Sequence, residues 1–167
     1  MTERPANVRF ATIADEDEIM RLMREAFKEQ PIFPLNERKM LETIHKCTVE
    51  NMKDRRGMIA VVGPPGALEG YLIAVFAQYW YSDAYHLEEL SNFVHPDHRL
   101  AWKGHARNLI EFAKWFAEFC EVPLLMGILS TQRLEGKIRL YQRQVKMCGA
   151  VFVHNTGHID GLLSEMG

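Results

Sequence analysis

The sequence predicts an α/β protein with a mixed central sheet of about six to seven strands flanked by about four helices. The first reason is element order: apolar runs and helical periodicities follow one another as β-α-α-β-β-β-α-β-α-β. The second is a helical pattern between the apolar runs Tyr85–Val94 and Leu124–Leu129, a crossover that makes those two strands parallel. The third is a pair of tight turn signals, Gly63-Pro64-Pro65-Gly66 and Ser82-Asp83, which make the strands around them antiparallel. At 167 residues the chain is long enough to bury about 70% of its unfolded surface in one core, so residues 1–167 are read as one domain.

Composition excludes several classes. With 47% apolar and 25% charged residues the chain is neither disordered nor fibrous, and a formal net charge of −2 gives no global pull toward nucleic acid or membrane. Cys47, Cys120 and Cys148 are odd in number and far apart, and they sit in helical patterns. They form neither a metal knuckle nor a disulfide framework, which points to core thiols in a reducing cytoplasm. MTERPANVRF has no apolar targeting core, and no stretch reaches membrane-spanning length. His86, His95, His98 and His105 fit no ligand spacing such as HExxH, so no metal is expected.

In order, Val8–Thr12 alternates as a first strand. Asp15 and Glu18 read as an acidic capping box ahead of the stripe Ile19, Leu22, Met23, Ala26 and Phe27. Pro31-Ile32-Phe33-Pro34 stops that helix. Asn36 caps the next one, with Leu35 and Met40 placed as a staple. Met58–Val62 and Gly70–Trp80 form a hairpin whose second strand is apolar without strict alternation, as a central strand is. From Lys103 an amphipathic helix presents Ala106, Leu109, Ile110, Ala113, Phe116, Ala117 and Cys120 on one stripe. Arg107 with Glu111 and Lys114 with Glu118 mark its outer face. A last helix runs from about Gly136 to Cys148 with Gly149 as its C′ residue, before strands at Val151–Val153 and His158–Leu163.

The start of the Lys103 helix carries the functional signal. No Ser, Thr, Asp or Asn precedes it as a cap, and Gly104 lies in its opening turn. Arg99, Lys103, His105 and Arg107 cluster where a helix dipole disfavours cations. A bound anion relieves both defects, so the segment reads as a phosphate site, against a frayed helix start with solvated charges.

The run Val94-His95-Pro96-Asp97-His98-Arg99, then Lys103-Gly104-His105-Ala106 and Leu109, resembles the acetyl-CoA motif of the GNAT superfamily of N-acyltransferases, V-x-P-x-x-R followed by Q/R-x-x-G-x-G/A and a helix. Arg99 stands five residues before Gly104 where the family has three, and the Q/R position falls on Ala101. The loop is two residues longer, with Arg99 or Lys103 as the substitute cation. The resemblance implies a GNAT fold and acetyl-CoA as co-substrate. It implies pantetheine against the backbone of Phe93 and Val94 and pyrophosphate on the amides of Lys103–Ala106 with Arg99 and Arg107 nearby. Ser130 then stands at the end of the facing strand, and an amide of Phe93 or Val94 serves the oxyanion.

The implied reaction is attack of a primary amine on the thioester. A base is needed because an alkyl amine is protonated at neutral pH. Glu88 and Glu89 are the candidates, and strand alternation lets only one face the site. In the family a tyrosine on the last helix protonates the leaving thiolate. Tyr141 is the candidate, although it stands eight residues before Gly149 and Val145 occupies the family position four before. The rival reading is a GNAT-fold module without catalysis that binds acyl-CoA or a protein partner. The basic run Arg133, Lys137, Arg139, Arg143 and Lys146 suits the cofactor's 3′-phosphate or tRNA, against a solvated face. Tyr79, Trp80, Tyr81 and Tyr85 suit an acceptor wall or a homodimer surface.

Overall fold

The architecture is that of a computed structural model, which describes residues 2–29, 33–51, 53–100, 103–130 and 132–149. Its elements are β1 (Arg9–Phe10), α1 (Glu16–Phe27), α2 (Glu37–Thr48), β2 (Gly57–Val62), β3 (Gly70–Gln78), β4 (Tyr85–Val94), α3 (His105–Phe119), β5 (Leu124–Leu125) and α4 (Leu134–Gln142). The strands form one five-stranded sheet in sequence order, antiparallel from β1 to β4 and parallel between β4 and β5. The sheet is mixed, as expected, with five strands among the described residues. The expected strands at Val151–Val153 and His158–Leu163 lie outside the described residues, as do Ala101 and part of the Pro31–Pro34 connector.

Two apolar layers hold the sheet. On one face Leu109, Ile110, Phe112, Ala113 and Phe116 of α3 pack on Met58, Leu72, Ala74 and Leu87. On the other, Ile19, Leu22 and Ile44 of α1 and α2 pack on Ile59, Val61, Tyr71 and Ile73. β2 is buried along its whole length because both faces are covered, which is why its sequence is a continuous apolar run.

Several expectations change in detail. Asp15 and Glu18 do not make the capping box. The Asp15 carboxylate instead accepts from the Thr12 amide at 2.9 Å and from both terminal nitrogens of Arg9 at 2.7 Å, while Glu18 pairs with Arg21 and accepts from the Leu68 amide. Asn36 does cap α2, accepting from the Lys39 amide at 3.0 Å. On α3, Lys114 pairs with Glu111 rather than Glu118, which binds Thr2 at the chain's start. α4 ends at Gln142, not Cys148; the Gln144 and Val145 amides close a turn onto the Tyr141 carbonyl. Gly149 is therefore not its C′ residue, and Cys148 is exposed rather than in the core. No described helix is long and apolar enough to cross a membrane.

Leu109 is fully buried between α3 and the sheet. Leu109→Ala is expected to lower unfolding free energy by about 2–5 kcal/mol, the usual cost of a core cavity, as read by urea denaturation.

Candidate active site

The site begins with two irregularities in the sheet. In the β3–β4 ladder Ile73 faces Ser91 and Ala74 faces Glu89, so Leu90 is an extra residue, a bulge. Residues directly opposite share a face, so Glu89 and Asn92 both stand on the side of Ala74 and Leu72, the α3 side. Without the bulge, positions three apart would face opposite ways. The second irregularity is that β5 pairs with β4 only at Leu124 and Leu125. Leu124–Leu129 was expected to be a strand throughout. Beyond Leu125 the chain leaves β4, and the Gly127 backbone interacts with the Glu89 carboxyl group instead.

A cleft of about 730 Å³ opens where the two strands part. Its walls are β4 from Glu89 to Val94, the first turn of α3, Gly127–Leu129, and the face of α4 bearing Gly136, Lys137, Leu140 and Tyr141. Along β4, the Leu87 amide donates toward β5 and the His95 amide toward β3, to the Glu69 carbonyl. Counting from these, Phe93 gives its backbone to Tyr71 of β3, while Asn92 and Val94 turn theirs to the cleft. The Phe93 backbone is thus turned toward β3 and that of Asn92 toward the cleft. The Val94 carbonyl accepts from Arg99 Nε at 2.7 Å.

Glu89 and Tyr141 meet on the cleft wall: the Tyr141 hydroxyl donates to Glu89 Oε1 at 2.6 Å. Burial pushes the Glu89 carboxyl up to about 8, against the opposing effect of Tyr141 and Gly127. Burial and the neighbouring carboxylate together raise Tyr141 far above its ordinary range. Glu89 Oε2 and Asn92 Oδ1 are buried without a hydrogen-bond partner among the described residues. Glu88 points to the opposite face, exposed, 3.8 Å from His86, and Tyr141 is not within its reach. The bulge and the alternation thus separate two carboxylates that the sequence left equivalent.

At the far end of the cleft is α3. Gly104 is its N-cap residue, with φ of +61°, and makes no side-chain cap. A β-carbon there would find room, its nearest neighbour being 3.6 Å away, so it is the left-handed backbone that favours glycine. Ala106 is part-buried against the α3 core. The cations around this helix start are held by carboxylates. Glu69, just before β3, accepts from Lys103 Nζ at 3.1 Å, bonds His105 Nε2, and lies 3.5 Å from His98. Burial opposes its ionisation, but the bonds from Lys103 and His105 prevail and hold it below the usual carboxylate range. Arg99 pairs with buried Glu29. Arg107 is exposed on the cleft rim. Ser130 is buried; its hydroxyl accepts from Lys137 Nζ at 2.7 Å and donates to the Gln132 carbonyl at 2.8 Å.

The basic run of the last helix divides: Arg133, Lys137 and Arg143 line the cleft, whereas Arg139 pairs with Glu135 in solvent. Sequence reasoning missed Glu29, Asn92 and the inward placement of Lys137. For Lys137 a signal existed, since it precedes Tyr141 by four residues and shares its helix face. The exposed aromatics Tyr79, Trp80, Tyr81 and Tyr85 gather at the β3–β4 turn, Trp80 with 92% of its surface free. Among the described residues no group of three or more His, Cys, Asp or Glu side chains is arranged to hold a metal ion.

The raised Glu89 group fixes the sign of a pH dependence. Its folded-state pKa of about 8 lies above the unfolded value near 4.5, so folding favours the protonated form. That contribution is complete below about pH 4.5 and is lost as pH rises through about 8. Glu89→Gln, which cannot ionise, is expected to keep stability across this interval that the parent chain loses. Thermal midpoints measured from pH 4.5 to 9 check it, and parallel curves for the two proteins contradict it.

No family model matches the sequence. No curated protein matches it. Solved structures do. A possible acetyltransferase from Clostridium difficile superposes with a TM-score of 0.66 at 15% identity, covering 89% of this chain and 95% of that one. A ribosomal-protein-alanine N-acetyltransferase from Brucella melitensis biovar Abortus gives 0.63 at 17% identity, covering 89% and 96%. An aminoglycoside antibiotic 6′-N-acetyltransferase from Acinetobacter haemolyticus gives 0.63 at 14% identity, covering 89% and 97%. At such identities the likeness is one of architecture, and it extends over nearly the whole of each chain: this protein shares the fold of those solved acetyltransferase structures.

Proposed function

We propose that the protein transfers an acetyl group from acetyl-CoA to a primary amine by direct attack of the amine on the thioester. The observation that carries this reading is the part-buried Glu89–Tyr141 pair, set in the wall of a cleft along which β4 has no strand paired to it beyond Glu88 on that side. That edge suits the amides of a pantetheine arm, which would lie on Asn92 and Val94 as an added strand lies on a sheet edge. The uncapped amides of α3 beside Gly104 suit a diphosphate, with Arg107 on the rim. Acetyl-CoA supplies the activated acyl carbon; the chain supplies placement and proton transfer.

Glu89 is the general base. An alkyl amine of pKa about 10.4 reaches the site as ammonium, and a carboxyl group titrating near 8 is closer to it than an ordinary carboxylate, so the proton moves at smaller cost. Tyr141 stays protonated at any working pH. It donates to Glu89, and on proton transfer to the departing sulfur it is the group placed to act as acid. Two of the solved structures of this fold are named for amine acceptors, an aminoglycoside and a ribosomal-protein alanine, consistent with an amine here.

A second reading, a module that binds acyl-CoA or a protein partner without turnover, draws support from the loop cations. Arg99 and Lys103 are paired with Glu29 and Glu69 rather than turned outward to an anion. Calorimetric titration with acetyl-CoA, followed by thiol release against an amine panel, separates the two. The enzyme reading predicts binding and amine-dependent release; binding without release by any amine supports the module.

The chemistry is tested on the pair. The rate is expected to rise with pH through about 8, following ionisation of Glu89. Glu89→Gln should remove that limb and lower kcat by about a hundredfold or more. Tyr141→Phe should lower kcat with little change in acetyl-CoA affinity, and an unchanged kcat returns Tyr141 to a packing role. Gly104→Asp, which sets a carboxylate at the start of α3, should abolish acetyl-CoA binding in the same titration.

A further inference from the structure

Glu29 lies two residues beyond the end of α1 and is only 7% exposed, yet it reaches both sides of the cleft. Its Oε1 accepts from Arg99 Nη2, and its Oε2 accepts from Lys137 Nζ at 3.2 Å. Each cation is anchored a second time. Arg99 Nε donates to the Val94 carbonyl with its guanidinium 5.1 Å from the centre of the Phe93 ring, and Lys137 donates to Ser130 Oγ. The carboxylate therefore joins the exit of β4 to α4, the two lips between which the cleft opens, and all three residues line that cleft.

Two cations and one acid leave a local excess of positive charge. A guanidinium has five N–H donors and an ammonium three, so these contacts leave donors on both that can turn to the cleft. Burial lowers the Lys137 pKa, against the opposing pull of Glu29, so its charge is held at a cost that a stronger anion relieves. Position selects the ligand. Arg99 is fixed to Val94, five residues along β4 from Glu89, which at strand spacing is ~16 Å. A pantetheine arm has about thirteen bonds between sulfur and the first phosphorus, ~14 Å when extended. A thioester beside Glu89 thus brings a diphosphate to Arg99.

We propose that Arg99 and Lys137 form an oxyanion-binding pair for a phosphate group, and that Glu29 is the internal anion that holds the pair until phosphate takes its place. Resting on the acetyl-CoA reading, this assigns Lys137 to ligand binding. It gives Glu29 the role of a competing carboxylate whose displacement frees both lips of the cleft. Arginine suits the exchange because its planar fork accepts phosphate as it accepts a carboxylate.

The test is calorimetric titration of the full chain, Glu29→Gln and Lys137→Met with CoA, inorganic pyrophosphate and pantetheine, the fold of each protein being checked by circular dichroism. Glu29→Gln should bind CoA and pyrophosphate roughly three- to tenfold more tightly, because the competitor has lost its charge. Lys137→Met should bind both about tenfold more weakly. Pantetheine, which has no phosphate, should be indifferent to either change. The proposal is overturned if Glu29→Gln binds pyrophosphate no more tightly, or if Lys137→Met binds it unchanged; the second variant stands alone should the first not fold. If pyrophosphate responds as expected while no protein binds CoA, the phosphate pair is upheld and the acetyl-CoA reading fails.

Discussion

The structure depends on β4 and β5 parting after Leu125. A parallel pair that continued its ladder would have no room between its strands, and every backbone group there would be satisfied. Here the Glu89 carboxyl group interacts with the Gly127 backbone and takes the Tyr141 hydroxyl, side-chain contacts made where the ladder has stopped. Burial pushes the same carboxyl group up to about 8, so the wall of the cleft carries a group that titrates above the ordinary carboxylate range. The bulge at Leu90 is the other half of the arrangement, since without it Glu89 and Asn92 would not share a face.

The second theme is how charge is handled at the opposite end of the cleft. Arg99, Lys103, His98 and His105 crowd a helix start where the dipole disfavours cations. Unpaired, they would repel one another and the helix. Glu69 and Glu29, brought from the β2–β3 turn and the end of α1, hold these groups in place. Negative charge to balance these cations is thus present within the chain itself.

Much of this was legible in the sequence for physical reasons. The long periodic helices α1 and α3, the Asn36 cap and the Gly63–Gly66 turn rest on local rules, and each appears where those rules place it. Glu89, Tyr141 and Gly104 could be named because they sit on regular elements beside a recognisable loop. What escaped depends on contacts distant in the chain. The bulge that chooses Glu89 over Glu88 leaves no mark in alternation, and the apolar run Leu124–Leu129 looks like a strand whether or not its neighbour stays beside it. Glu29 is one acid among many near a helix end until Arg99 and Lys137, 70 and 108 residues away, fold against it. The Asp15 capping role fails for a local reason: Arg9, six residues before it, takes its carboxylate.

The central claim is that the gap between β4 and β5 holds the thioester arm of acetyl-CoA with its acyl carbon beside Glu89. A crystal structure of the protein with CoA tests this most directly. The account predicts pantetheine density along Asn92 and Val94, sulfur near Glu89 and Tyr141, and phosphates at Arg99 and the start of α3. Density for CoA outside the cleft, with β4 and β5 still parted around Glu89, would contradict it.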